Sequence, residues 1–345
     1  MKILSIDTSC DETSVAITED TKVLSNVIWS QALSHAKFGG VMPSLAQRMH
    51  EERIDWVIEK AIKKSGLTIN EIDFIAVTVG PGLSIALGVG IDRAKKLAIK
   101  YNKKLIAVNH LEAHILSPLA QRNTDSKDAT VKLTFPSLGL VVSGGNTLFV
   151  KINDIGSYEV IAQTTDDALG EALDKGARML GLGYPGGATL EKLARGEDLE
   201  KYKLPIPIIG QEKRKIFTYS GLKTAFSRLT ESEKPLTKDK IQNLAVCFQD
   251  TAFTHLIRVC RYIINTSQFK FDSLLVGGGV SANTTLRKML RQMTRKSKLK
   301  IMFPYSGKLM GDNAAMIGVA AYYKALRKEF ISPSKIDRSP NLKLA

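Results

Sequence analysis

In the segment Ile106-Ala-Val-Asn-His-Leu-Glu-Ala-His114, His110 and His114 stand four residues apart directly after a short apolar run. If the run is a strand and the histidines open the following helix, both imidazoles share one face and can ligate one divalent cation. The competing reading is that each ring satisfies local hydrogen bonds. Asp312, in Gly311-Asp-Asn-Ala-Ala-Met316, is a suitable third ligand. A set of two histidines and one carboxylate leaves positions open for substrate, which marks a catalytic rather than a structural metal. Asp312 could equally be the N-cap of a helix expected from Ala314 to Lys328.

The histidine spacing invites a protease reading, in which a glutamate directly after the first histidine activates water. Here Glu112 lies two residues after His110. At roughly 100° per residue it points away from the face carrying both histidines. It suits a supporting partner of the ligands, or solvent exposure, better than a water-activating base. Cys10, Cys247 and Cys260 have no ligand-like spacing, so neither a disulfide framework nor a zinc knuckle is expected. Cys10 adjoins Asp11 and Glu12, whose charges raise a thiol pKa, and it reads as a small structural residue.

The elements that must position these residues form an approximate repeat. Ile3–Asp7 and Thr13–Ile17 read as a hairpin, as do Leu138–Val142 and Leu148–Ile152. Each hairpin is followed, after helical material, by an apolar strand, a glycine turn and a helix. In the first half these are Phe74–Val79, Gly80-Pro-Gly82 and a helix through Val89 to Ile99. In the second they are Leu274–Val276, Gly277-Gly-Gly279 and a helix beginning near Ser281. The expectation is an α/β chain of two homologous lobes with a ligand cleft between them, Asp312 reaching the histidines from the opposite lobe. Ile54, Val57, Ile58, Ala61 and Ile62 predict a helix with a core face, stopped by Gly66. The polar stretch from Ala120 to Thr134 sets the lobe boundary. The expected organisation is a first lobe over residues 1–128, a second over 129–328 with an insertion at about 164–240, and a C-terminal tail over 329–345.

With 345 residues, 44% of them hydrophobic, the chain is long enough for two cores. No apolar stretch reaches the roughly 20 residues of a membrane span. A first strand expected from Lys2 leaves no room for a targeting peptide, so the expected location is the cytoplasm, without membrane association. A formal charge of +15 makes a polyanionic partner plausible, the alternative being lysine-rich helix faces that merely meet solvent.

Taken in order, the motifs resemble those of the TsaD family, also called Gcp, from Met1 to about Lys328. They are Asp7-Thr-Ser-Cys-Asp-Glu-Thr13, Gly80-Pro-Gly82, His110-Leu-Glu-Ala-His114, Val142-Ser-Gly-Gly-Asn-Thr147, Gly170-Glu-Ala-Leu-Asp-Lys175, Tyr184-Pro-Gly-Gly187, Ser220-Gly-Leu-Lys-Thr224, Gly278-Gly-Val-Ser-Ala-Asn283 and Asp312-Asn313. The resemblance implies the two-lobed actin-like (ASKHA) fold shared with sugar kinases and heat-shock chaperone ATPases. It implies transfer of the threonylcarbamoyl group of threonylcarbamoyl-AMP to N6 of the adenosine at position 37 of tRNAs reading codons that begin with A, with release of AMP. By motif, His110, His114 and Asp312 would hold one Fe2+ or Zn2+. Val141, Val142, Ser143, Gly144 and Gly145, with Asp174, Gly187 and Asn283, would bind the adenylate, its ribose on Asp174. Asp11 or Glu12 is the expected proton acceptor or a neighbour of the metal.

The partners implied, beside tRNA, are a TsaB-like paralogue and a TsaE-like ATPase, with adenylate from a TsaC-like enzyme, or a homodimer. The helix around Ile54 to Ile62 would be the partner surface. The rivals are a scaffold of the same fold that has lost the chemistry and, last, a metalloprotease. Three positions depart from the family pattern: Asn146 stands where many bacterial members have His, Ala314 where Gly is usual, and Val141 where archaeal relatives have a metal-binding Tyr.

Overall fold

The computed structural model describes residues 1–124, 132–194 and 201–344. The chain divides into two compact units. Unit 1 comprises Met1–Leu133, Asp154–Tyr158 and Phe303–Ala345; unit 2 comprises Thr134–Asn153 and Glu159–Met302. The expected boundary at 128/129 lies outside the described residues. The expected second lobe ran to 328, whereas the chain re-enters unit 1 at Phe303.

Unit 1 contains β1 (Lys2–Asp7), β2 (Glu12–Glu19), β3 (Lys22–Ser30), α1 (Ala32–Ala36), α2 (Pro43–Ser65), β4 (Phe74–Gly80), α3 (Ser84–Lys100), β5 (Lys104–Asn109), α4 (His110–Leu116) and β6 (Gln121–Arg122). Its sheet has the order β5-β4-β1-β2-β3-β6. The hairpin of β1 and β2 is antiparallel, with Asp7 opposite Ser14, and β4 runs parallel to β1. Strand alternation then sorts the side chains. Leu4, Ile6, Val15 and Ile17 join a core with Ile54, Val57, Ile58 and Ala61 of α2 and Leu87, Ile91 and Ala94 of α3. The expected α2 stripe is thus core, and Gly66 ends that helix at φ 73°.

Unit 2 contains β7 (Ser137–Val142), β8 (Thr147–Asp154) and β9 (Ser157–Thr164) apart from Asp154, Ser157 and Tyr158 at their joined ends, then α5 (Leu169–Met179), α6 (Gly187–Leu193), β10 (Ile216–Phe217), α7 (Ser220–Ser232), α8 (Lys238–Thr266), β11 (Ser273–Gly277), α9 (Thr284–Lys296) and β12 (Lys300–Met302). Its sheet order, β10-β9-β8-β7-β11-β12, repeats that of unit 1 strand for strand, with β7 and β8 as the antiparallel hairpin and β11 parallel to β7. The helix expected near Ser281 starts later: a 3-10 turn covers Gly279–Ala282, and Asn283 caps α9.

The last helix, α10 (Ala314–Leu326), is apolar on nearly every side and therefore needs cover all round. It finds that cover in unit 1, against β1, β2, β3, β5 and α4. Ser5 Oγ donates to the Ala314 carbonyl at 2.6 Å, and the Ala314 N–H donates to Ser14 Oγ at 2.8 Å. A Cβ on Gly318 would lie 2.7 Å from the Thr18 side chain, so the helix sits directly on the sheet. The tail is also part of unit 1: Ile336 is buried in its core, and the Ser339 N–H donates to the Val79 carbonyl at 2.7 Å. Gly80, at φ 155°, is required there, because a Cβ would meet the Ser339 carbonyl oxygen at 1.8 Å.

Candidate metal centre and nucleotide site

β5 ends at Asn109, whose Oδ1 accepts the N–H groups of Leu111 at 2.8 Å and Glu112 at 3.3 Å. That cap starts α4 at His110, so the histidines open the helix as expected. Both rings are buried, edge-on to each other, with centroids 4.6 Å apart. Asp312 is not the cap of α10; Asn313 is, accepting the Met316 N–H at 3.2 Å. The Asp312 carboxylate is thereby released toward the histidines. Its Oδ1 lies 3.1 Å from His114 Nε2 and 3.5 Å from His110 Nε2. The three potential ligand atoms fall within 4.8 Å of one another, all inside unit 1, so Asp312 does not come from the opposite lobe as expected.

The electrostatics are those of a cation site. Burial alone would lower the His110 pKa, yet the carboxylates of Asp312 and Asp7 raise it to about 10. His114 is held low by burial and by its charged neighbour His110. Asp312, despite burial, is driven well below the usual carboxylate range by His110 and His114. The buried Nδ1 atoms of both histidines and Oδ2 of Asp7 lack hydrogen-bond partners. Two imidazole nitrogens and a carboxylate oxygen suit Fe2+ or Zn2+ and leave positions open. The residues therefore fit a bound metal.

Asp7 was not singled out from the sequence. Strand alternation places it on the Ser5 face of β1, the face covered by α10, and its Oδ1 lies 3.8 Å from His110 Nδ1. A carboxylate ending a buried apolar strand was the available signal. Glu112 points away from the histidines, as expected, but it is buried rather than exposed. It accepts a hydrogen bond from the Tyr158 hydroxyl at 3.0 Å and faces the Arg327 guanidinium at 3.9 Å. Burial raises its pKa. It braces α4 from behind and takes no place beside the ligand atoms, which removes the protease reading.

Cys10 and Glu12 lie within electrostatic range of Asp312, and Asp11 lies within range of both of them. Burial first, and then the neighbouring carboxylates, raise the pKa values of Cys10 and Glu12, so Cys10 is a poor nucleophile as expected. The turn is held by His50, also missed in sequence. Its Nε2 is 3.0 Å from the Cys10 carbonyl oxygen and its Nδ1 is 2.8 Å from Thr13 Oγ1. The Asp11 carbonyl accepts the Gln31 N–H at 2.9 Å, and Glu12 accepts from Ser30 Oγ at 3.2 Å.

In unit 2, β7 delivers buried Val141 and Val142 to the turn at Ser143-Gly144-Gly145. The Ser143 carbonyl accepts the Gly170 N–H at 3.1 Å, and nothing lies within 4 Å of a Cβ built on Gly144 or Gly145. Gly278, at φ 92°, lets β11 pass close by, since a Cβ would meet the Val142 carbonyl oxygen at 2.3 Å. Asp174 Oδ1 accepts the N–H groups of Gly186 at 2.9 Å and Gly187 at 2.8 Å. Asn283 bonds Gln249 Oε1 at 2.8 Å through Nδ2 and caps α9 through Oδ1. Contacts among α5, the 3-10 turn and the end of β7 join these residues into one connected group. Its exposed backbone is of the kind that cradles an anion.

No described helix is long and apolar enough to cross a membrane. Among solved structures, component A of (R)-2-hydroxyglutaryl-CoA dehydratase from Acidaminococcus fermentans aligns over 94% of this chain and 99% of its own, at TM-score 0.55 and 12% identity. Full-length HypF aligns over 96% of this chain and 56% of its own, at TM-score 0.57 and 16% identity. These likenesses speak to fold alone, the actin-like α/β class. In sequence, the tRNA N6-adenosine threonylcarbamoyltransferase of Clostridium kluyveri is 42% identical over 100% of this chain and 98% of its own. That of Caldicellulosiruptor bescii is 41% identical over the same shares, and that of Brucella abortus 41% identical over 99% and 94%. The family model described as TsaD, tRNA N6-adenosine threonylcarbamoyltransferase, matches residues 22–319, a span that takes in His110, His114, Asp174 and Asp312. The chain belongs to the TsaD family.

Proposed function

We propose that the chain transfers the threonylcarbamoyl group of threonylcarbamoyl-AMP to N6 of the adenosine at position 37 of tRNAs reading codons that begin with A, releasing AMP. The observation that carries this reading is the buried His110, His114 and Asp312 set, with both Nε2 atoms converging on Asp312 Oδ1, in a chain whose full-length relatives bear the transferase name. In the reaction the N6–carbonyl bond forms, the carbonyl–phosphate bond breaks, and the N6 proton passes to a carboxylate of Asp11 or Glu12. His110, His114 and Asp312 would hold one Fe2+ or Zn2+, which when bound supplies Lewis-acid polarisation of a substrate oxygen. The backbone at Val141, Val142, Ser143, Gly144 and Gly145 would take the phosphate, and Asp174 with Gly187 and Asn283 the adenosine half.

Within this reading the protein works in the bacterial arrangement of a TsaB-like paralogue and a TsaE-like ATPase, supplied by a TsaC-like enzyme. All three relatives named above are bacterial. The paralogue would dock on α2, whose Trp56 is exposed beneath Lys60.

The test is substitution of the ligands. His110→Ala and Asp312→Ala are expected to lose stoichiometric metal by elemental analysis and to lose transfer of labelled threonylcarbamoyl to tRNA, while circular dichroism stays that of the parent. Undiminished transfer by either variant would sink the assignment.

A further inference from the structure

His35, Gln31 and His50 are almost completely buried, and together they form a hydrogen-bonded chain that ends at the turn carrying Asp11 and Glu12. The Met42 N–H, just before α2, donates to His35 Nδ1 at 3.3 Å, and His35 Nε2 lies 3.1 Å from Gln31 Oε1. Gln31 Nε2 is 3.3 Å from His50 Nδ1, and His50 Nε2 is 3.0 Å from the Cys10 carbonyl oxygen. The two ends fix the polarity of the chain, because an amide N–H only donates and a carbonyl only accepts. Each ring therefore accepts through Nδ1 and donates through Nε2, and Gln31 accepts through Oε1 and donates through Nε2. Burial lowers the His50 pKa, which favours the single proton this arrangement requires. Residues 8–11 lie between β1 and β2, whose ladder ends with Asp7 opposite Ser14, so strand pairing of β1 with β2 does not hold the Cys10 and Asp11 carbonyls. The chain does: His50 grips Cys10 and Thr13, which bracket the two carboxylates in sequence, and the Gln31 N–H donates to the Asp11 carbonyl.

We infer that His35, Gln31 and His50 are positioning residues for the transfer reaction: their chain fixes the backbone on both sides of Asp11 and Glu12 and so aims the carboxylate that takes the N6 proton. The inference rests on the reading of Asp11 or Glu12 as proton acceptor and adds the residues that hold it in place. Two features favour positioning over packing alone. Three apolar side chains would fill the same space with no need to match every donor to an acceptor, whereas a buried polar network fully satisfied along its length rigidifies what it is bonded to. The bonds also converge on one loop from two elements, α2 through His50 and the end of β3 through Gln31 and Ser30, whose hydroxyl donates to Glu12 at 3.2 Å. A proton acceptor needs such placement, since its efficiency depends on hydrogen-bond reach of the proton it removes.

The experiment compares Gln31→Met and His50→Leu, which break the chain, with His50→Gln, whose amide can still accept and donate. In transfer of labelled threonylcarbamoyl to tRNA, kcat is expected to fall roughly ten- to a hundredfold in the first two. KM for adenylate and tRNA, and zinc affinity by isothermal titration, should stay parental, and His50→Gln should recover most of the lost kcat. A second measurement needs no variant to fold: nitrogen NMR of the histidine-labelled parent should show His50 with its one ring proton on Nε2. Parental kcat in both chain-breaking variants, or a raised KM with kcat kept, would overturn the inference alone. So would a His50 ring protonated on Nδ1. Transfer that survives Asp11→Asn/Glu12→Gln undiminished would overturn the proton-acceptor reading and this inference with it. A parent that transfers nothing would overturn the function on which both rest.

Discussion

His255 shows what a single buried ring contributes. It lies on α8, almost fully buried, and its Nε2 accepts the Thr218 N–H at 3.2 Å. Burial lowers its pKa to about 4, so the folded protein holds it neutral. In the unfolded chain the ring titrates near its ordinary value of about 6.5 and takes up a proton first. Its contribution to stability is therefore complete above about pH 6.5 and is lost as pH falls toward about 4. Between about pH 7.5 and 5.5 the loss is roughly 1.4 kcal/mol. His255→Gln, which keeps an acceptor and removes the titration, should show a pH dependence of urea unfolding flatter by that amount. Equal pH dependence in parent and variant would contradict the account. At this scale the sequence was legible where spacing carries geometry. His110 and His114 share a turn because four residues nearly complete one. Burial was not legible: periodicity tells which way Glu112 points, but not that Tyr158 and Arg327 wait there.

Among the elements, α4 has the most demanding task, since its 7 residues carry both histidines. A helix so short has little stability of its own and depends on its ends. Asn109 supplies the cap through Oδ1, and through Nδ2 it donates to the Lys343 carbonyl at 2.8 Å, tying the C-terminal segment to the same point. Asn109→Ala removes both, at an expected cost of about 1–2 kcal/mol. Zinc affinity should weaken along with stability, as isothermal titration and chemical denaturation would show. Unchanged zinc affinity would mean that the cap does not position the ligands. Both hairpins and the strand–glycine–helix units were legible from alternation and glycine placement. The third strand of each sheet was not: along Lys22–Ser30, apolar residues fall on both faces and blur the period of two. Nor was the 3-10 turn before α9, because Ser281 and Asn283 are both plausible caps and only the fold selects Asn283.

For the whole molecule, the repeated sheet order was foreshadowed by the repeated hairpins, whereas the return of the chain to unit 1 at Phe303 was not. Local pattern shows that α10 needs cover on every side; it does not show which sheet supplies it. Ser5, Ser14 and Thr18, small polar residues on one face of two buried strands, are where α10 rests. Because that contact places Asp312 beside α4, the three candidate metal ligands belong to one unit and come together with its fold. The central claim is that this centre serves tRNA modification. The most direct measurement reconstitutes the metal-loaded chain with the proposed TsaB-like, TsaE-like and TsaC-like proteins and a tRNA transcript, then analyses the digested nucleosides. The account predicts threonylcarbamoyladenosine at position 37 with the parent and none with His114→Ala. Unmodified adenosine with the parent, or equal modification with the variant, would contradict it.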